Sequence, residues 1–112
     1  MITNEKRAYN RVKMALAISY RTFSPRKSVS GNSITHNISF GGVYFETLTE
    51  LLIGELLDCT IEIREKNMFL RFLSRVVRCE SLVSTMLPTF GVAAEFVTPF
   101  EKSDVELRKV LS

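Results

Sequence analysis

Along this chain apolar and polar residues alternate in short runs, and a period of two marks a strand with one face on a core. In residues 12–20, Val12, Met14, Leu16, Ile18 and Tyr20 share one parity, and Lys13, Ala15, Ala17 and Ser19 share the other. That pattern predicts one long first strand. Residues 22–31 carry Ser24, Pro25, Ser28, Ser30 and Gly31 beside Arg26 and Lys27, a composition that sustains neither helix nor strand and predicts a hairpin loop. Alternation resumes over residues 33–38, with Ile34, His36 and Ile38 on one side, and stops at Gly41-Gly42 before a short apolar strand at 43–45.

Residues 48–54 predict an irregular connection ending at Gly54. Residues 55–65 then place Leu57, Cys59, Ile61 and Ile63 on one face. Lys66-Asn67 is the turn into a strand over 68–79, bent near Ser74, and the polar stretch 81–89 with Pro88 is a loop. A sixth strand covers 90–97, with Val92, Ala94 and Phe96 inward. The pattern changes at Thr98-Pro99-Phe100-Glu101, where a capping Thr precedes Pro at a first helical position, and Ser103-Asp104-Val105-Glu106 repeats the capping signal. One of the two starts a C-terminal helix over about 99–111 whose apolar edge is Leu107, Val110 and Leu111. Six strands with no helix between them favour an all-β fold, a six-stranded antiparallel β-barrel closed by a C-terminal α-helix, over a parallel α/β sheet.

The chain has 112 residues, 46% of them hydrophobic, which supports one core and so one domain over 1–112. Within it, residues 1–11 form a flexible lead-in bearing arginines, about 12–97 the barrel and about 99–111 the helix. No stretch reaches the roughly 18 to 20 apolar residues that cross a bilayer, and Asn4, Glu5 and Lys6 lack the apolar core of a secretion signal. The expectation is a cytoplasmic protein without membrane insertion. Cys59 and Cys79 lie in apolar segments without the close spacing of a metal or redox pair, which predicts two buried, reduced thiols. The net charge of +3 conceals an asymmetry. Residues 1–45 hold seven basic side chains (Lys6, Arg7, Arg11, Lys13, Arg21, Arg26, Lys27) against the single acid Glu5, while residues 46–112 hold eight basic and eleven acidic ones. A basic first part draws anions.

Catalytic signatures are missing: His36 is the single histidine, its parity with Ile34 and Ile38 puts it on a packed strand face, and no nucleophile elbow or phosphate-binding glycine loop occurs. The expectation is a non-enzyme with no catalytic residue, no metal and no cofactor. Two short elements point to binding instead. Arg7-Ala8-Tyr9-Asn10-Arg11, preceded by Lys6, presents two planar guanidiniums suited to phosphate oxygens or a guanine edge. Asn37-Ile38-Ser39-Phe40-Gly41-Gly42 sends Asn37 and Ser39 to one side of a strand beside a glycine turn, where backbone can approach a ligand. An ordinary polar turn would account for the second element alone.

Arg-x-x-x-Arg, then about 25 residues, then Asn-x-Ser-x-x-Gly, ahead of a six-stranded barrel and a final helix, closely resembles the PilZ domain family. The resemblance also covers the Gly54 turn, Val76-Val77-Arg78 and Phe90-Gly91-Val92. It implies a receptor that binds the bacterial second messenger cyclic di-GMP without converting it. By the same resemblance, Arg7 and Arg11 grip guanine edges and phosphates, Asn37 and Ser39 hydrogen-bond guanine, and Gly42 shapes the turn. Lys6 stands where the family often has a further arginine, and Asn37 where it commonly has aspartate, so a point charge replaces a fork and an amide replaces a carboxylate.

Ordering of the arginine arm on binding, and a signal to an unidentified protein partner in motility, biofilm or exopolysaccharide control, complete that expectation. The chain would act as a monomer or homodimer and bind no nucleic acid. Two alternatives stand beside it. One is a PilZ-like adaptor that binds protein and no nucleotide. The other is a single-strand nucleic-acid barrel, for which the basic first part would serve but the core parity of Tyr20, Phe45 and Phe96 would not.

Overall fold

The computed structural model describes residues 11–23, 28–83 and 86–111. The strands are β1 (Val12–Lys13), β2 (Ala17–Thr22), β3 (Ser30–Ile38), β4 (Gly42–Thr47), β5 (Leu56–Ile63), β6 (Met68–Leu82) and β7 (Thr89–Pro99), and the helix α1 is Ser103–Leu111. All pairings are antiparallel, in the order β1-β3-β2-β5-β6-β7-β4, and β4 returns to pair with β3. That last pairing closes six strands into a barrel, with β1 as a short addition on β3, as the alternation predicted for the fold class.

The inward faces follow the period of two. Leu57, Cys59 and Ile61 of β5 are fully buried, Tyr20 and Phe45 pack with ring centroids 5.5 Å apart, and Phe72 stacks on Phe96 at 4.0 Å. Arg64–Lys66 forms a single 3-10 turn, and Asn67 takes a left-handed conformation with φ 51 to start β6. The bend expected near Ser74 is a register shift between Leu73 and Ser74, and a second shift follows between Val76 and Arg78.

Four expectations are corrected, the last of them the start of the helix. Residues 12–20 are not one strand, because the chain breaks at residues 14–16 and the buried hydroxyl of Thr35 fills the gap, accepting from the Leu16 N–H at 2.9 Å and donating to the Met14 carbonyl at 2.6 Å. His36 does not lie on a packed face. A register shift between Thr35 and Asn37 turns Ile34 and His36 outward while Ile38 is buried, and His36 Nε2 meets Glu46 Oε2 at 3.1 Å. Of the two thiols, both free, Cys59 is buried but Cys79 only half so.

The helix begins at Ser103, not near Pro99, because β7 runs on through Pro99 and Glu101 adopts φ 57. The Ser103 hydroxyl accepts from the Arg71 N–H at 2.8 Å, and the Phe100 N–H donates to the Arg71 carbonyl at 2.9 Å, so the helix start is pinned to β6. From there Leu107, 1% exposed, enters the core, with Val110 and Leu111 packed against it. Since α1 follows the end of β7, it covers the same end of the barrel as the start of β4 and the end of β3.

Candidate functional site

The junction between β3 and β4 is a tight reversal. The Ser39 N–H donates to the Gly42 carbonyl at 2.9 Å, the Gly41 N–H donates to Ser39 Oγ at 3.1 Å, and the Phe96 N–H of β7 donates to the Gly41 carbonyl at 2.8 Å. Ser39 is thus both buried and structural: its oxygen builds the turn, and its own O–H is left to donate. Gly42 is required by contact, since a Cβ there would collide with the Ala94 carbonyl oxygen on β7. Asn37 is half-buried one strand position before Ile38.

Strand pairing brings the lead-in to this turn. β1 sets Val12 against Ile38 and Lys13 against Asn37, so the exposed Arg11, one residue earlier, arrives at the level of Ser39. Of the residues singled out in the sequence, Arg11, Asn37, Ser39 and Gly42 are therefore neighbours on one end of the barrel. Lys6 and Arg7 lie outside the described residues. The helix reaches the same turn: the Arg108 guanidinium sits over the Phe40 ring, 5.0 Å from its centroid, a distance at which a cation is drawn to an aromatic face.

Residues that the sequence did not single out surround the turn. Tyr44 is directly across from Asn37, its hydroxyl over Gly91, where a Cβ would meet it. Burial first, then the carboxylates of Glu46 and Glu80, push the Tyr44 phenol upward from its ordinary value, with Arg78 opposing. Tyr44 escaped notice because an aromatic between Val43 and Phe45 reads as core; its parity, opposite to both, was the available signal.

Away from the turn, Asp58 on β5 takes a bidentate pair from Arg71 on β6, Nε to Oδ1 at 2.9 Å and an Nη to Oδ2 at 2.8 Å, with Arg21 at 3.6 Å. The hydrogen bonds from Arg71 are the main reason the Asp58 carboxyl is held below its ordinary range. A polar depression of about 370 Å³ lies beside it, lined by Ser19, Arg21, Ser30, Asn32, Asp58 and Thr60 among others. That depression is at the far end of the β2–β3 pair from Asn37 and Ser39. Among the described residues no group of His, Cys, Asp and Glu could hold a metal ion, and no helix is long and apolar enough to cross a membrane.

Comparison with known proteins agrees with this fold. A comparison with curated proteins gives no match. Among solved structures, the chain is similar to Escherichia coli YcgR in complex with c-di-GMP, with TM-score 0.71 and 13% identity over 95% of this chain and 44% of that one. It is also similar to the Bacillus subtilis inhibitor of motility MotI/DgrA, with TM-score 0.68 and 18% identity over 94% and 51%. A third is the K. pneumonia MrkH-c-di-GMP complex, with TM-score 0.70 and 16% identity over 94% and 49%. The chain thus spans about half the length of these proteins, and at such identities the likeness is one of fold. The model of the PilZ domain, in contrast, matches residues 5–110, nearly the whole sequence. With its closed barrel, its Asn37-to-Gly42 turn and that match, the chain belongs to the PilZ domain family.

Proposed function

We propose that the chain is a receptor for cyclic di-GMP that binds the nucleotide without converting it and signals to a protein partner, in motility, biofilm or exopolysaccharide control. Arg7 and Arg11, with Lys6 beside them, take the phosphates and guanine edges; Asn37 and Ser39 accept and donate at the rim; Gly42 keeps the turn tight. Binding orders the arginine segment on the barrel wall, and that change is the signal. Membership of the family and the c-di-GMP complexes of YcgR and MrkH support the ligand.

The observation that carries this reading is the register of β1 on β3, which delivers Arg11 beside Ser39 and Lys13 beside Asn37. The exposed Arg11 guanidinium facing a polar turn suits a ligand with two phosphate charges, because the bonds are charge-assisted while the turn is already organised by its own hydrogen bonds. Isothermal titration with cyclic di-GMP, GTP and single-stranded DNA tests it. We expect heat with the cyclic dinucleotide alone, and at least about tenfold weaker binding in Arg11→Ala, the loss of one charge-assisted contact. No heat at high micromolar cyclic di-GMP refutes the ligand; undiminished affinity in Arg11→Ala refutes the residue.

A further inference from the structure

We infer that the ligand site continues across the outer face of the barrel, with Tyr44 as a platform on which one purine base of the nucleotide stacks and Arg78 as the cation at the far end. This inference rests on the receptor reading above and adds two ligand-touching residues to it.

The register lays out the surface. Lys13 pairs with Asn37, Asn37 with Tyr44, Tyr44 with Ala93 and Ala93 with Arg78, a single row across β1, β3, β4, β7 and β6. Every member faces outward, because the alternate residues Ile38, Val43, Phe45, Val92 and Ala94 are buried. Neighbouring strands are about 4.8 Å apart, so Asn37 and Arg78 are separated by about 14 Å, room for a base and its ribose phosphate side by side.

The middle of the row stands beside small residues, Gly91 and Ala93. Tyr44 reaches over β7 because Gly91 carries no Cβ, and its hydroxyl end occupies the place that a Cβ would take. The His36 ring closes on Tyr44 from the β3 side, 5.7 Å between centroids at 61°, and is itself held by Glu46. Ala93 offers only a methyl group between Tyr44 and Arg78. Arg78 pairs with Glu80 through Nε at 2.8 Å, and a guanidinium engaged there has terminal nitrogens with further donors for a phosphate oxygen. An outward aromatic ring beside an amide, with a cation two strands further along the same row, is an arrangement that binds nucleotides by stacking and charge together. A phenol that merely shielded Gly91 would need neither the methyl-sized step at Ala93 nor the cation beyond it.

The test is cyclic di-GMP titration of the full chain and of Tyr44→Phe, Tyr44→Leu and Arg78→Gln, with the guanine H8 proton followed by NMR at saturation. Tyr44→Phe keeps the affinity within about threefold and keeps an upfield H8 shift, since the stacking face survives. Tyr44→Leu weakens binding about 5- to 150-fold, the range for loss of one base–aromatic stack, and abolishes the upfield shift. Arg78→Gln weakens binding and lowers its dependence on salt. Should Tyr44→Leu fail to fold, Ala93→Leu takes its place, since a longer side chain at that outward, half-buried step lifts the base off the ring; undiminished affinity there overturns the inference. Wild-type binding with an unchanged Kd and H8 shift in folded Tyr44→Leu overturns this inference alone, whereas absence of wild-type binding overturns the receptor reading and this one with it.

Discussion

Asp58 shows how much of a single residue's behaviour depends on its neighbours. It lies on the outward side of β5, yet is only 9% exposed, because the guanidiniums of Arg71 and Arg21 cover it in place of the core. The bonds from Arg71 lower its folded pKa below the unfolded value, so the pair contributes stability that is fully present above the ordinary Asp range and is lost as pH falls through the folded pKa. Asp58→Asn is therefore less stable than wild type near neutrality, and the gap narrows on acidification. Urea unfolding at a series of pH values from about 6 to about 2 checks the sign. None of this was legible in the sequence, since Asp58 and Arg71 are thirteen positions apart and meet only once β5 and β6 are in register. Arg11, Asn37, Ser39 and Gly42 were legible because their residue types and spacing carry meaning without any long-range contact. Tyr44 was hidden for the opposite reason, being apolar enough to pass for core.

At the scale of elements, alternation located the strands and missed their interruptions. β5 is clean, with Leu57, Cys59, Ile61 and Ile63 all inward, because both its neighbours pair with it without a bulge. β3 is not, because it serves β1, β2 and β4, and the shift between Thr35 and Asn37 is needed to turn Ile38 inward after Thr35. A period of two carries no mark of a bulge when the extra residue, His36, is as acceptable to a strand as its neighbours. The break between β1 and β2 was likewise silent until Thr35 was seen inside it. Thr35→Val keeps the shape of that buried side chain and removes its hydroxyl, leaving the Leu16 N–H and Met14 carbonyl without their partner. The expected cost is about 1–3 kcal/mol, read as a lower urea midpoint with an unchanged slope.

For the whole molecule, barrel class and terminal helix were visible in the sequence, but the closure through β3 and β4 was not, because strand order depends on pairings between distant segments. The result is one core, shut at one end by α1 through Leu107 and its half-buried neighbours Val110 and Leu111. Leu107→Ala removes the plug and should destabilise the chain by about 2–5 kcal/mol. Unfolding followed by far-ultraviolet circular dichroism and by tyrosine fluorescence should still coincide, since the described residues share one core. Loss of that coincidence would mean that helix and barrel are independent units.

The two-residue β1 gives this molecule two lifetimes. Its hold on β3 is the pairs Val12–Ile38 and Lys13–Asn37 with two bonds at Met14, to the His36 carbonyl and from the Thr35 hydroxyl, and Thr35 already satisfies the backbone on the barrel side of the break at Leu16. So short a strand belongs to the low end of local opening free energies, while β2, paired on both sides, opens only with the barrel. The segment that carries Arg11 can therefore detach and reclose many times within the life of one folded barrel, sampling ligand at a rate that global stability does not set.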